Sequence, residues 1–192
     1  KNKSALEVIL TTLHAGGKFS DNVYSTSGGL HGVGISVVNA LSDSLNVEIA
    51  RDQRLFSQQF KQGTACSSLI DEGPVRNRRG TKICFHPDPE IFGKSLKFKP
   101  SALYQMAKSK AYLFRGVEIR WSCDTELTAS DPKTPDAEII HYPNGLTDYL
   151  KSELQDRKIF GNAVFSNEKD TETNERIEWA IAWPEDNDDG FL

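Results

Sequence analysis

Gly28, Gly29, Gly32 and Gly34 place four glycines in seven residues, with Leu30, His31 and Val33 between them, directly before the apolar run from Ile35 to Leu41. Glycine leaves the main chain bare and reaches φ > 0 at little steric cost, so a ligand can approach the backbone closely. A helix beginning there offers unpaired N–H groups and the positive end of its dipole. Bare backbone followed by a helix start makes an anion site, most often for phosphate. The spacing Gly29-x-x-Gly32-x-Gly34 is not G-x-G-x-x-G, and no G-x-x-x-x-G-K-[ST] occurs, so neither a dinucleotide fingerprint nor a P-loop is present. The same glycines would also serve a tight turn ahead of a packed helix.

The elements that must position this loop follow from patterning. Ser4 and Glu7 form a capping box, and Leu6, Ile9, Leu10 and Leu13 recur on one helical face that Gly16-Gly17 should end. Residues 18–27 are polar and irregular, as in a loop. A second helix is expected over 32–41 with Val33, Val37, Val38 and Leu41 inward. Leu45, Val47 and Ile49 then alternate with polar residues, and 55–60 can pair back across Asp52-Gln53. Ile83 and Phe85 open another strand after the turn at Arg79-Gly80. Pro87 and Pro89 break the chain.

The second half repeats the alternation of classes. A helix is expected over 101–114, with Leu103, Met106, Ala107, Lys110 and Phe114 near one face. Val117, Ile119 and Trp121 read as a strand, 124–137 as a hairpin loop, and Ile139, Ile140 and Tyr142 as the returning strand. A helix through Leu146, Tyr149, Leu150 and Leu154 follows. Gly161-Asn162 introduces a strand, Ile177, Trp179, Ile181 and Trp183 alternate in another, and 185–190 read as a turn.

The 192 residues carry 23 basic and 27 acidic side chains, a net charge of −4, which does not advertise a DNA-binding surface. Arg76, Arg78, Arg79 and Lys82 cluster, and read first as a solvated turn. Cys66, Cys84 and Cys123 form no C-x-x-C pair, so no zinc site or disulfide framework is expected, as suits a reducing cytoplasm. No apolar run of about 18 residues predicts a membrane span, and the first residues lack the apolar region of a signal peptide.

The run Leu13-His14-Ala15-Gly16-Gly17-Lys18-Phe19, then Tyr24, then the stretch from Ser27 to Ser42, resembles the ATP-binding domain of the bacterial type IIA topoisomerase B subunits. That superfamily also holds a heat-shock chaperone, mismatch-repair ATPases and sensor histidine kinases. Within the family, Lys108 to Ala111 and Gly116 to Ile119 resemble the topoisomerase IV type more than the gyrase type. The resemblance implies an α+β fold, a two-layer α/β sandwich of the gyrase/chaperone/histidine-kinase ATPase type, truncated at its N-terminus. It implies a partial ATP-binding domain over 1–144, with the ATP lid at 18–27, and the start of a transducer domain over 145–192.

It also implies residue roles. Lys18 and Tyr24 match nucleotide contacts of the lid. Gly29, Leu30, His31, Gly32, Val33 and Gly34 match the backbone cradle of the phosphates, with His31 there for loop geometry or a phosphate contact. Ile35 matches the adenine side of the pocket, or simply core. Thr81, after Gly80, matches an adenine-site threonine whose hydroxyl can donate and accept. Arg51 matches the arginine at the pocket rim, where aminocoumarin inhibitors bind. The family's general-base Glu, its Mg²⁺-binding Asn and its adenine-binding Asp match no stretch here, and its transducer Lys would fall after Leu192. No catalytic residue is therefore assigned. Losing a general base alone costs roughly 10²–10⁴-fold, so these residues by themselves are expected not to turn over ATP.

The implied whole protein binds ATP and Mg²⁺, dimerises on ATP binding, and passes one DNA duplex through a double-strand break made by the A subunit in an A2B2 heterotetramer. Other readings stay open. They are a gyrase B subunit, another ATPase of the superfamily, and a non-catalytic nucleotide- or inhibitor-binding module.

Overall fold

The computed structural model describes residues 3–15, 32–155, 157–170 and 176–186. Packing divides the chain into two units, Lys1–Leu96 and Lys97–Leu192.

In the first unit, α1 (Ala5–Thr11) and α2 (Gly34–Ala40) pack on an antiparallel sheet. Its strands are β1 (Ser42–Arg51), β2 (Arg54–Lys61), β3 (Thr64–Ala65), β4 (Ile70–Pro74) and β5 (Gly80–Pro87). Their order is β3-β2-β1-β5, with β4 sharing the outer edge of β2. Ser4 caps α1 by accepting from the Glu7 N–H at 3.0 Å, as the capping box predicts. The expected hairpin forms with Arg51 opposite Arg54. Asp52 and Gln53 take φ of 51° and 59°, the positive values a two-residue type I′ turn requires. Leu10, Leu45, Val47 and Phe60 form the buried core, with Leu6, Ile35, Val38 and Ile49 packed on it. Phe60→Ala, which opens a cavity at its centre, is expected to cost about 3–5 kcal/mol in urea unfolding.

The helices depart from their expected ends and faces. The first ends at Thr11 instead of at Gly16-Gly17, and Thr12 is already extended. The Thr11 hydroxyl donates back to the Glu7 carbonyl at 2.7 Å, a local bond that competes with helix continuation. In α2 the inward residues are Ser36 and Asn39, with Val38, while Val37 and Leu41 are exposed. Ser36 and Asn39 can face inward because each has a carbonyl partner, Val33 and Leu10 respectively. β3, β4 and the short α3 (Pro89–Phe92) have no counterpart in the periodicity analysis.

The second unit holds α4 (Pro100–Leu113), β6 (Glu118–Ser122), α5 (Thr125–Thr128), β7 (Ala137–His141), α6 (Leu146–Leu154), β8 (Phe165–Asp170) and β9 (Arg176–Ile181). β6 pairs with β7 and β8 with β9, both antiparallel. Tyr104, Ala111 and Ile140 are its buried core, with Ile119, Trp121 and Tyr142 around them. The inward stripe of α4 is Tyr104 and Ala111, buried, with Ala107 and Lys108 half-buried, which corrects the expected one except at Ala107: Met106 is 57% exposed. The polar tips decide this. Tyr104 donates to Glu138, and Lys108 to Glu153 at 2.8 Å, so long amphipathic side chains can lie inward. The expected loop at 124–137 contains α5, capped by Asp124. Gly161 and Asn162 take positive φ of 72° and 50° in a turn that precedes β8. Trp183 lies outside β9, and part of the expected turn at 185–190 falls outside the described residues.

Glu168 and Glu178 stand directly opposite in the β8–β9 register, an arrangement that repels on its own. Arg115 sits at 2.8 Å from both and offsets their repulsion. The expected boundary after residue 144 falls within this unit, where Tyr112 stacks on Tyr149 with centroids 4.1 Å apart. Among the described residues no helix is long and apolar enough to cross a membrane.

Candidate functional site

Lys18, Tyr24, Gly29, Leu30 and His31 lie outside the described residues. The end of the glycine run is described. Gly32 has φ of 60°, the left-handed region. Val33 occupies the N-cap of α2 and supplies no side-chain oxygen to the first turn, which also contains no acidic residue. Most helix starts carry such an oxygen. Among the described residues, no capping side chain occupies that end of α2. Ile35 rests against the core cluster.

Arg51 and Thr81, thirty positions apart, meet in one cleft of about 820 Å³. The strand register explains it. β5 pairs with β1 so that Thr81 stands opposite Ile49 and Gly80 opposite Ala50. The start of β5 therefore comes beside the Arg51 hairpin. Asp52, Gln53 and the connection through Asn77 and Arg78 complete the walls. Ile49 both lines this cleft and packs on the cluster that carries Ile35.

The cleft is polar and its charges are partly paired. Arg51 Nε lies 3.2 Å from Asp52, with both side chains largely in solvent. Arg78 donates to Glu48 at 2.5 Å, and Lys82 stands 3.8 Å from the same carboxylate. The hydrogen bond from Arg78 holds the Glu48 carboxyl below the usual carboxylate range. Arg78 and Lys82 thus pair with Glu48, while Arg76, Arg78, Arg79 and Lys82 all stay exposed, as a solvated turn requires. Thr81 is exposed on β5, an outer strand of the sheet among the described residues. Sequence reasoning did not find Asn77. Its φ of 57°, a conformation asparagine tolerates better than most residues, marks the turn that closes the cleft. Among the described residues no group of three or more His, Cys, Asp or Glu side chains is placed to hold a metal ion.

No family model matches the chain. Curated relatives do. The B subunit of DNA topoisomerase 4 from Bartonella bacilliformis is 49% identical over 183 residues, 95% of this chain and 26% of that protein. The Rickettsia bellii protein of the same name is 46% identical over 192 residues, 100% of this chain and 28% of that protein. Among solved structures, the 43K ATPase domain of Thermus thermophilus gyrase B in complex with an aminocoumarin is similar, with a TM-score of 0.66 and 29% identity. That match covers 87% of this chain and 39% of that one.

The helix-on-antiparallel-sheet fold and identity along nearly its whole length place the chain in the family of bacterial type II topoisomerase B subunits. Within that family, the relatives at 46–49% identity are B subunits of DNA topoisomerase 4. The chain spans about a quarter of their length.

Proposed function

We propose that the chain is nucleotide-binding sequence of an ATP-dependent type II DNA topoisomerase of the topoisomerase IV kind. The observation that carries this is 46–49% identity over 94–100% of the chain, glycine run included, to topoisomerase 4 B subunits. The gyrase B neighbour at 29% is more distant, which favours decatenation and relaxation over negative supercoiling.

In this reading the phosphates of ATP lie on the backbone of Gly29 to Gly34, where oriented N–H donors suit dispersed negative charge. Lys18 and Tyr24 close over the nucleotide from the lid, a bistable element ordered by the terminal phosphate. Thr81 reads the adenine from the sheet edge. When bound, Mg²⁺ neutralises phosphate charge. Lid closure joins two copies into a gate that captures a DNA duplex, and the A subunit cleaves the other duplex in an A2B2 assembly. Such work on DNA places the protein in the bacterial cytoplasm. The division into ATP-binding and transducer sequence near residue 144 belongs to the same reading.

The test is ATP-dependent decatenation of linked DNA circles by the full-length protein with its A subunit. Decatenation supports the topoisomerase IV reading, ATP-driven negative supercoiling supports the gyrase one, and neither activity refutes both. The Arg51 cleft gives a separate prediction, because the neighbour's structure holds an aminocoumarin. Arg51→Ala should weaken aminocoumarin inhibition by roughly 10–100-fold, the worth of one hydrogen bond to a charged group. ATP turnover should change much less, and equal losses in both would contradict the rim assignment.

A further inference from the structure

Asn39, the sixth of the seven residues of α2, is fully buried at 0% exposure. Its Nδ2 donates to the Leu10 carbonyl at 2.9 Å, across 29 positions of chain. Its own main-chain carbonyl accepts from the Gly63 N–H at 3.2 Å, so the residue is anchored to the β2–β3 turn as well. Its Oδ1 is buried without a hydrogen-bond partner among the described residues. An unpaired buried oxygen is a cost. Leucine at this position would remove that oxygen but also the donor to the Leu10 carbonyl, so what the amide supplies is a directional tie between the two helices.

A second buried amide acts at the other end of α1. Gln58 accepts from the Ser4 hydroxyl at 3.5 Å and donates to the Ser67 carbonyl at 3.0 Å. The seven-residue α1 therefore carries a polar pin at each end in addition to Leu10. Apolar packing tolerates sliding, whereas directional bonds set one register.

We infer that Asn39 is a positioning residue for nucleotide binding, an inference that rests on the function proposed above. Its amide fixes the end of α1 against α2, and so fixes where the chain leaves one helix and enters the other. It does not touch the nucleotide. A displacement of about 1 Å in a positioned group can cost of order 10²-fold, so this register has functional weight.

The test uses the full-length protein and two variants, Asn39→Leu and Asn39→Ala, with ATP turnover and thermal unfolding measured on each. The expected result is that at least one variant folds with near-wild-type unfolding and a KM for ATP raised by about tenfold or more, kcat falling far less. A folded variant with wild-type KM overturns the inference. Failure of both to fold overturns it too, since Asn39 would then be a folding residue. Absence of ATP turnover in the wild-type protein would instead refute the nucleotide reading, and this inference with it.

Discussion

Gly145→Ala is expected to destabilise the full-length protein by about 3 kcal/mol, the sum of backbone strain and a steric clash. Gly145 is buried and has φ of 58° and ψ of −126°, the mirror image of extended backbone, which L side chains do not adopt without strain. A Cβ there would lie 2.7 Å from Glu178 Oε1 and 3.3 Å from the Tyr112 carbonyl. The carboxylate cannot simply swing away. It accepts from Arg115 at 2.8 Å and from the Leu146 N–H at 3.3 Å, where it caps α6. The carbonyl is main chain and fixed by α4. Urea unfolding measures the loss. Gly145→Ala combined with Glu178→Ala should recover only part of it, because the φ strain remains. A cost below about 1 kcal/mol for the single variant would contradict this close approach.

Gly32→Val should abolish tight ATP binding, by about 10²-fold or more, while leaving the fold largely intact. Gly32 sits at φ of 60°, two residues before α2, and a β-branched residue with positive φ is a true outlier. The backbone would have to turn, and the N–H groups assigned to phosphate would turn with it. Gly32 lies outside the core of Leu10, Leu45, Val47 and Phe60, so the variant should unfold close to wild type. Calorimetric titration with a non-hydrolysable ATP analogue checks the first half, and thermal unfolding the second. Undiminished binding would move the phosphate site off this turn.

Local signals carried the legible part of the fold. The Ser4 cap and the Asp52-Gln53 hairpin depend on neighbouring residues only, and both stand where the pattern puts them. β4 escapes because Ile70-Asp71-Glu72-Gly73-Pro74 neither alternates nor is apolar; it exists through pairing with β2. The faces of α2 and α4 were misjudged for one reason. Asn39, Tyr104 and Lys108 are polar or charged, yet each finds at least one acceptor for its donor and is drawn inward. Hydrophobic periodicity cannot register a partner that lies 29, 34 or 45 positions away.

The site was legible to a different degree. The glycine run suggests either an anion site or a tight turn from composition alone, whereas Arg51 and Thr81 are singled out only through family resemblance. Their meeting in one cleft follows from the β1–β5 register, which pairs Thr81 with Ile49. No local pattern encodes that register. Asn77 and Arg78 join the cleft through the same long-range pairing.

The most direct measurement is a calorimetric titration of the full-length protein with a non-hydrolysable ATP analogue and Mg²⁺, repeated with an aminocoumarin present. Nucleotide binding at this region predicts one saturable site per chain, lost in Gly32→Val and displaced by the aminocoumarin. No binding by the wild-type protein, or binding that neither Gly32→Val nor the aminocoumarin alters, would contradict it.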